Sequence, residues 1–115
     1  MIITWRVYEK PFPDGYKILV DRLWPRGIKK IQIDYWAKEI APSDELRTWF
    51  SHDIEKWDEF LENYRKELSE NKKLDEILEI IREKGKIGDI IFLYAAREKN
   101  FNNAIALKLI IEPLL

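Results

Sequence analysis

The sequence predicts an α/β fold: a single domain with a mostly parallel sheet of about four strands and helices on both faces, Rossmann-like and three-layered. Three observations predict it. Short β-branched and aromatic runs alternate with longer stretches of helical period. The inner runs are apolar on both faces, as in a sheet covered on both sides. The chain has 115 residues with 46% hydrophobic and 36% charged content, enough for one real core and too apolar for disorder.

Ile2 to Tyr8, "IITWRVY", is rich in β-branched and aromatic residues and reads as the first strand. Lys10 to Gly15, "KPFPDG", is turn chemistry, with two prolines and Asp14-Gly15. Tyr16 to Asp21 reads as a second strand around Ile18-Leu19-Val20. Ile31 to Ala41 is ambiguous between a short strand and a helical turn. Ser43 can then cap a helix whose first turn holds Asp44 and Glu45, the charge that suits a helix's positive end. Leu46, Trp49 and Phe50 share one face of that helix. Asp53 can cap a longer helix with an inner stripe of Ile54, Trp57, Phe60, Leu61, Tyr64 and Leu68. Asn71 restarts a third helix with Leu74, Ile77, Leu78 and Ile81 inward, and Gly85 ends it. Asp89 to Ala96, "DIIFLYAA", is another buried strand, followed through Asn100–Asn103 by a last helix from Ala104 to about Leu115. No repeat, low-complexity segment or linker divides residues 1–115.

Composition excludes several functions. With 20 basic and 21 acidic residues the net charge is -1, which argues against a bulk electrostatic grip on nucleic acid or an anionic membrane. There is no cysteine, so disulfides, thiol chemistry and cysteine-ligated metals are out. A lone histidine makes no standard zinc site, and no cofactor motif such as GxGxxG or a Walker loop is present. No apolar run is long enough to span a bilayer and the N-terminus lacks a signal-peptide pattern, so a cytoplasmic protein is the expectation. Abundant Lys, Glu and Ile with one glutamine give a heat-adapted composition.

In parallel α/β sheets, ligands bind outside the carboxyl ends of the strands. "DRLWPRG", Asp21 to Gly27, lies at the end of the second strand, and Arg97 at the end of the last. If those strands are neighbours, Arg22, Arg26 and Arg97 converge at one rim, an anion site with Trp24 available to stack on a planar ligand. Asp21 would then orient an arginine or move a proton; alternatively Asp21 and Arg22 simply pair to pin the turn. Asn102 or Asn103 could present an amide to the ligand, or cap the last helix. Arg47, in "ELRTWF", adds to the same side. His52 is a candidate acid or base because an ordinary histidine titrates near neutrality, and otherwise a residue of the helix joint.

"VDRLWPRG", "WAKEIAPSDELRTWFSHD" and "LYAAREKNFNNA" together resemble, nearly end to end, the domain-of-unknown-function 488 family in its short YeaO-like branch. That resemblance supplies no established activity. It implies that Asp21, Arg22, Trp24 and Arg26 form one motif, with Arg47 and His52 in a second and Arg97 and Asn102 in a third. Two departures stand out. Similar proteins often carry a histidine where this chain has Phe101. Some longer relatives carry a cysteine at the end of the last strand, where this chain has Ala95 and Ala96. Two functions fit: a binding domain or enzyme for a small anionic metabolite such as a nucleotide, or a non-catalytic module holding a protein or nucleic acid on the same basic, Trp-bearing rim. A concave site favours the first and a flat one the second.

Overall fold

A computed structural model describes all 115 residues. Four strands, β1 (Ile2–Arg6), β2 (Tyr16–Leu19), β3 (Tyr35–Trp36) and β4 (Ile90–Tyr94), form one sheet in the order β1-β4-β2-β3. All pairs are parallel: Ile3 stands opposite Ile91, and Ile18 is flanked by Phe92 and Tyr35. The four helices are α1 (Asp44–Phe50), α2 (Trp57–Ser69), α3 (Leu74–Gly85) and α4 (Asn103–Ile111). The α/β class, the parallel four-stranded sheet and the inner, adjacent positions of β2 and β4 are as the sequence predicts. The ambiguous stretch contains both of its readings, a two-residue strand between two 3-10 turns.

The layering differs from the expectation. Side chains alternate across a strand, so Ile18, Ile90, Phe92 and Tyr94 face one way and Leu19, Ile91 and Leu93 the other. The first set shares a core with the buried residues of all four helices, including Leu46, Phe60, Ile77 and Leu107. The second set packs on loop residues, Phe12, Trp24, Ile28, Ile33 and the edge-strand Trp36, and on no helix. The segments that connect β1 to β2 and β2 to β3 are too rich in turn residues for a helix, so large side chains cover that face instead. Tryptophans of the strands and of the loop hold these connections in place: Trp5 in β1, Trp24 between β2 and β3, and Trp36 in β3 each donate the indole N–H to a backbone carbonyl, of Glu9, Ile28 and Asp21, at 2.7–2.8 Å.

Local signals explain most boundaries. The Ser43 hydroxyl accepts from Leu46 N and caps α1. Asp53 caps a 3-10 turn, Ile54–Lys56, that leads into α2, so Ile54 lies exposed before the helix rather than in its stripe. Phe60, Tyr64 and Leu68 are the buried stripe. Asn102, not the loop as a whole, caps α4 through Ile105 N. At Gly15, where φ is +149°, a methyl group would stand 2.5 Å from Asp89 O, the carbonyl that accepts from Tyr16 N and starts β2 beside β4. No helix is long and apolar enough to cross a membrane.

Candidate functional site

Because β2 and β4 are parallel neighbours, their carboxyl ends meet. A cavity of about 380 Å³ opens there, within the usual size range of small-molecule sites. It is lined from β2's continuation by Asp21, Arg22, Leu23, Trp24 and Pro25, from β4's by Ala95 and Ala96, and from α4 by Asn103. The helical layer adds Arg47, Phe50, His52 and Phe60. Of the residues singled out from the sequence, Asp21, Arg22, Trp24, Arg47 and His52 come together.

The others do not line it. Arg26 and Arg97 are exposed and outside the cavity. Arg97 begins a loop that closes on itself: Glu98 accepts from Asn100 N and Phe101 N through Oε2, and its carbonyl accepts from Asn102. Asn102 is fully buried and committed to that carbonyl and to its cap. Its neighbour Asn103 is the asparagine that reaches the cavity.

Asp21 forms the inner wall. Oδ2 accepts from Ala95 N at 2.9 Å and Oδ1 from Asn103 Nδ2 at 2.9 Å, so one carboxylate ties β2, β4 and α4 together. Burial pushes its carboxyl above the ordinary range, opposed by those two hydrogen bonds and by the charges of Arg47 and His52. Arg22 is not its partner. Arg22 Nη2 donates to Ala41 O at 2.9 Å and Nε to Pro42 O at 3.0 Å, which pins the segment entering α1. Arg6, which the sequence did not single out, does the same on the other side. Its Nε donates to Ala95 O and Ala96 O at 3.3 and 3.0 Å. Strand register could have found it, because Arg6 is the last residue of β1, opposite Tyr94.

The outer wall is looser. Arg47 makes an exposed 2.8 Å ion pair with Asp44 one turn earlier on α1. Ser51 and His52 follow α1 with φ of 45° and 57°, two consecutive non-glycine residues in the left-handed region. Phe50 and Phe60 stack at 4.2 Å between ring centres, Phe50 also meets the His52 ring at 5.9 Å, and Trp24 meets Trp36 edge-on at 5.2 Å. The wall is therefore aromatic and cationic. No group of three or more His, Cys, Asp or Glu side chains is placed to hold a metal ion.

Comparisons with known proteins agree with the family that the three motif stretches resemble. No solved structure matches the chain significantly. Uncharacterized proteins of Mycobacterium bovis and Mycobacterium tuberculosis are each 47% identical over 75 residues, 63% of this chain and 64% of theirs. The match thus spans less than two-thirds of those relatives. The uncharacterized protein YeaO of Escherichia coli is 43% identical over 105 residues, 89% of each chain. A family model described as the inactive DUF488-N3 subclade matches residues 1–115, and the chain belongs to that subclade of the domain-of-unknown-function 488 family.

Proposed function

We propose that this chain is a non-catalytic binding domain for a small anionic ligand. One observation carries the reading. The cavity combines two cationic or protonatable side chains on a solvent-reached rim, Arg47 and His52, with an aromatic wall, and its lining offers no thiol, hydroxyl or amine nucleophile. No hydrogen bond joins its two titratable candidates for acid–base work, Asp21 and His52; Asp21's oxygens accept instead from Ala95 and Asn103. The subclade's description as inactive, and the alanines at 95 and 96, support the same reading. Concavity favours a small molecule over a flat protein or nucleic-acid surface.

Arg47 is the anion's first partner. Its tie to Asp44 is an exposed pair of the kind worth about 0.5 kcal/mol, so a ligand phosphate or carboxylate displaces it cheaply. Arg22 contributes charge near the floor while its Nε and Nη2 stay on the carbonyls. The test is a thermal-shift series with sulfate, phosphate and a nucleotide panel. A binder at a hundredfold excess over its Kd adds about 2.7 kcal/mol to the wild type. Arg47→Ala should melt at the same temperature unliganded and lose most of the shift. A wild type stabilised by none of these anions overturns the reading.

A further inference from the structure

Asp21 and Arg22 are adjacent in sequence, yet the carboxylate has no cation on it. None of the ion pairs in the molecule includes Asp21. Its two hydrogen bonds come from neutral donors, a backbone amide and a carboxamide. An ionised carboxylate has about four acceptor positions, so about two remain. Asn103 beside it donates Nδ2 to Val20 O and to Asp21, which leaves its own Oδ1 without a protein partner. The inner wall of the cavity thus has acceptor capacity that the protein does not fill, the remaining lone pairs of Asp21 and Asn103 Oδ1, though no side-chain acceptor is both sealed from solvent and unpartnered; burial already penalises the bare charge there.

The two walls are complementary to two different chemical groups. The rim, Arg47 and His52, suits an anion. The floor, Asp21 and Asn103, suits N–H donors. The lining also holds Trp24, Phe50 and Phe60, which suit a flat apolar ring. We propose, resting on the anion-binding reading above, that the ligand is an anionic molecule bearing a planar ring with paired N–H donors, the donors on Asp21 and the anion on Arg47 and His52. A nucleoside monophosphate with a guanine-type base edge has both ends. Its ring N–H and amino group form the donor pair that a carboxylate accepts side by side. Alkyl ammonium ligands match the floor but leave the aromatic wall unused.

The experiment is calorimetric titration of the full chain with GMP, IMP, ribose 5-phosphate and phosphoethanolamine. IMP keeps the ring N–H and lacks the amino group. Ribose 5-phosphate lacks the base. Phosphoethanolamine keeps an ammonium and lacks a ring. The expectation is that GMP binds roughly tenfold tighter than IMP, the effect of one hydrogen bond to a charged acceptor, with the other two weaker still. Asp21→Asn should remove the preference for GMP over IMP while retaining phosphate binding. The ligand comparison on wild type stands whether or not that variant folds. Equal affinity for GMP and IMP overturns the donor-pair assignment and leaves the anion reading intact. Phosphoethanolamine binding as tightly as GMP overturns the ring. Binding of none of the four overturns both readings together.

Discussion

The segment from Glu39 to Ser43, which the cavity residue Arg22 holds, and the segment from Arg47 to His52, which supplies the cavity's rim, are built in opposite ways. In the first, every carbonyl from Glu39 to Pro42 accepts from a side chain: Asn71 Nδ2 on Glu39 at 2.6 Å, the Tyr64 hydroxyl on Ile40 at 2.6 Å, and Arg22 on Ala41 and Pro42. Ser43 N and its hydroxyl donate to the two oxygens of Glu67. In the second, Arg47 has only an exposed carboxylate and two residues sit in a disfavoured backbone region. A buried irregular segment must have its polar groups satisfied, so it draws in polar side chains from distant elements. The rim has no such need. Its polar side chains are left available to something outside the chain, and its two left-handed residues end α1, with Ser51 N donating to Arg47 O.

Removing Arg22 should break this contrast most visibly. Arg22→Ala leaves the Ala41 and Pro42 carbonyls without donors, both on buried residues. At about 1–2 kcal/mol for each stranded acceptor, the loss is about 2–4 kcal/mol. Arg22→Lys recovers one contact at most, because an ammonium cannot span both carbonyls as the planar fork does. Denaturant unfolding of the two variants beside Arg47→Ala gives the comparison. Loss in the Arg22 variants and near-silence in Arg47→Ala marks one wall as structural and the other as free. Equal, small effects in all three would return Arg22 to the role of a free anion clamp.

That outcome also measures how far the sequence could be read. The strand runs and the three- and four-residue spacing on α2 and α3 are strong periodic signals, and they placed the cavity at the ends of β2 and β4. Adjacency misleads where periodicity does not reach. Asp21 and Arg22 look like a pair on paper, but neighbours in extended chain point to opposite sides. Both line the cavity, but Asp21 accepts from Ala95 and Asn103 while the Arg22 fork donates to the carbonyls at the α1 entrance. Asn102 and Asn103 divide the same way, with the first committed to the cap and the second carried round to Asp21. Arg26 and Arg97 lie on loops whose path depends on hydrogen bonds to Tyr8 and within residues 98–102, and no repeat in the sequence encodes those. The missing second helical layer has the same origin, since loops that cover a sheet face with scattered large side chains, Phe12, Trp24, Ile28 and Ile33, have no period to detect.

A smaller effect sharpens the view of the floor. Asp21's folded-state carboxyl is raised, chiefly by burial. Below the ordinary carboxylate range both folded and unfolded chains carry the proton, and Asp21 costs nothing. As pH rises through that range the unfolded chain ionises first, so the folded state holds more protons and loses stability relative to it, until Asp21 also ionises. Stability attributed to Asp21 therefore falls with rising pH across that window and is level above it. Other carboxylates slope the opposite way, so the observable is the difference between wild type and Asp21→Asn in melts from pH 3 upward. A difference that is flat or rises with pH would mean that Asp21 is better solvated than its place behind the cavity implies.

The smallest change is expected to be a gain. His52 has φ 57°, in a region where a side chain costs roughly 1–2 kcal/mol and glycine costs little. His52→Gly relieves that strain but forfeits the ring contact with Phe50 and loosens the unfolded chain. The net is about 0.5 kcal/mol of added stability, a melting rise of roughly 2–4 °C for a chain of this length. Ser51→Gly is the matched control. Ser51 has φ 45° at the α1 C-cap, where glycine is favoured, and does not line the cavity. Both variants should melt higher than wild type. They should part on ligand, with Ser51→Gly retaining the phosphate-induced shift and His52→Gly losing much of it. A histidine kept in a conformation that the fold would be more stable without has its reason at the cavity. If His52→Gly instead melts lower while Ser51→Gly melts higher, the Phe50 contact outweighs the strain. The outer wall would then be structural after all, and Arg47 would be the only rim group available to an anion.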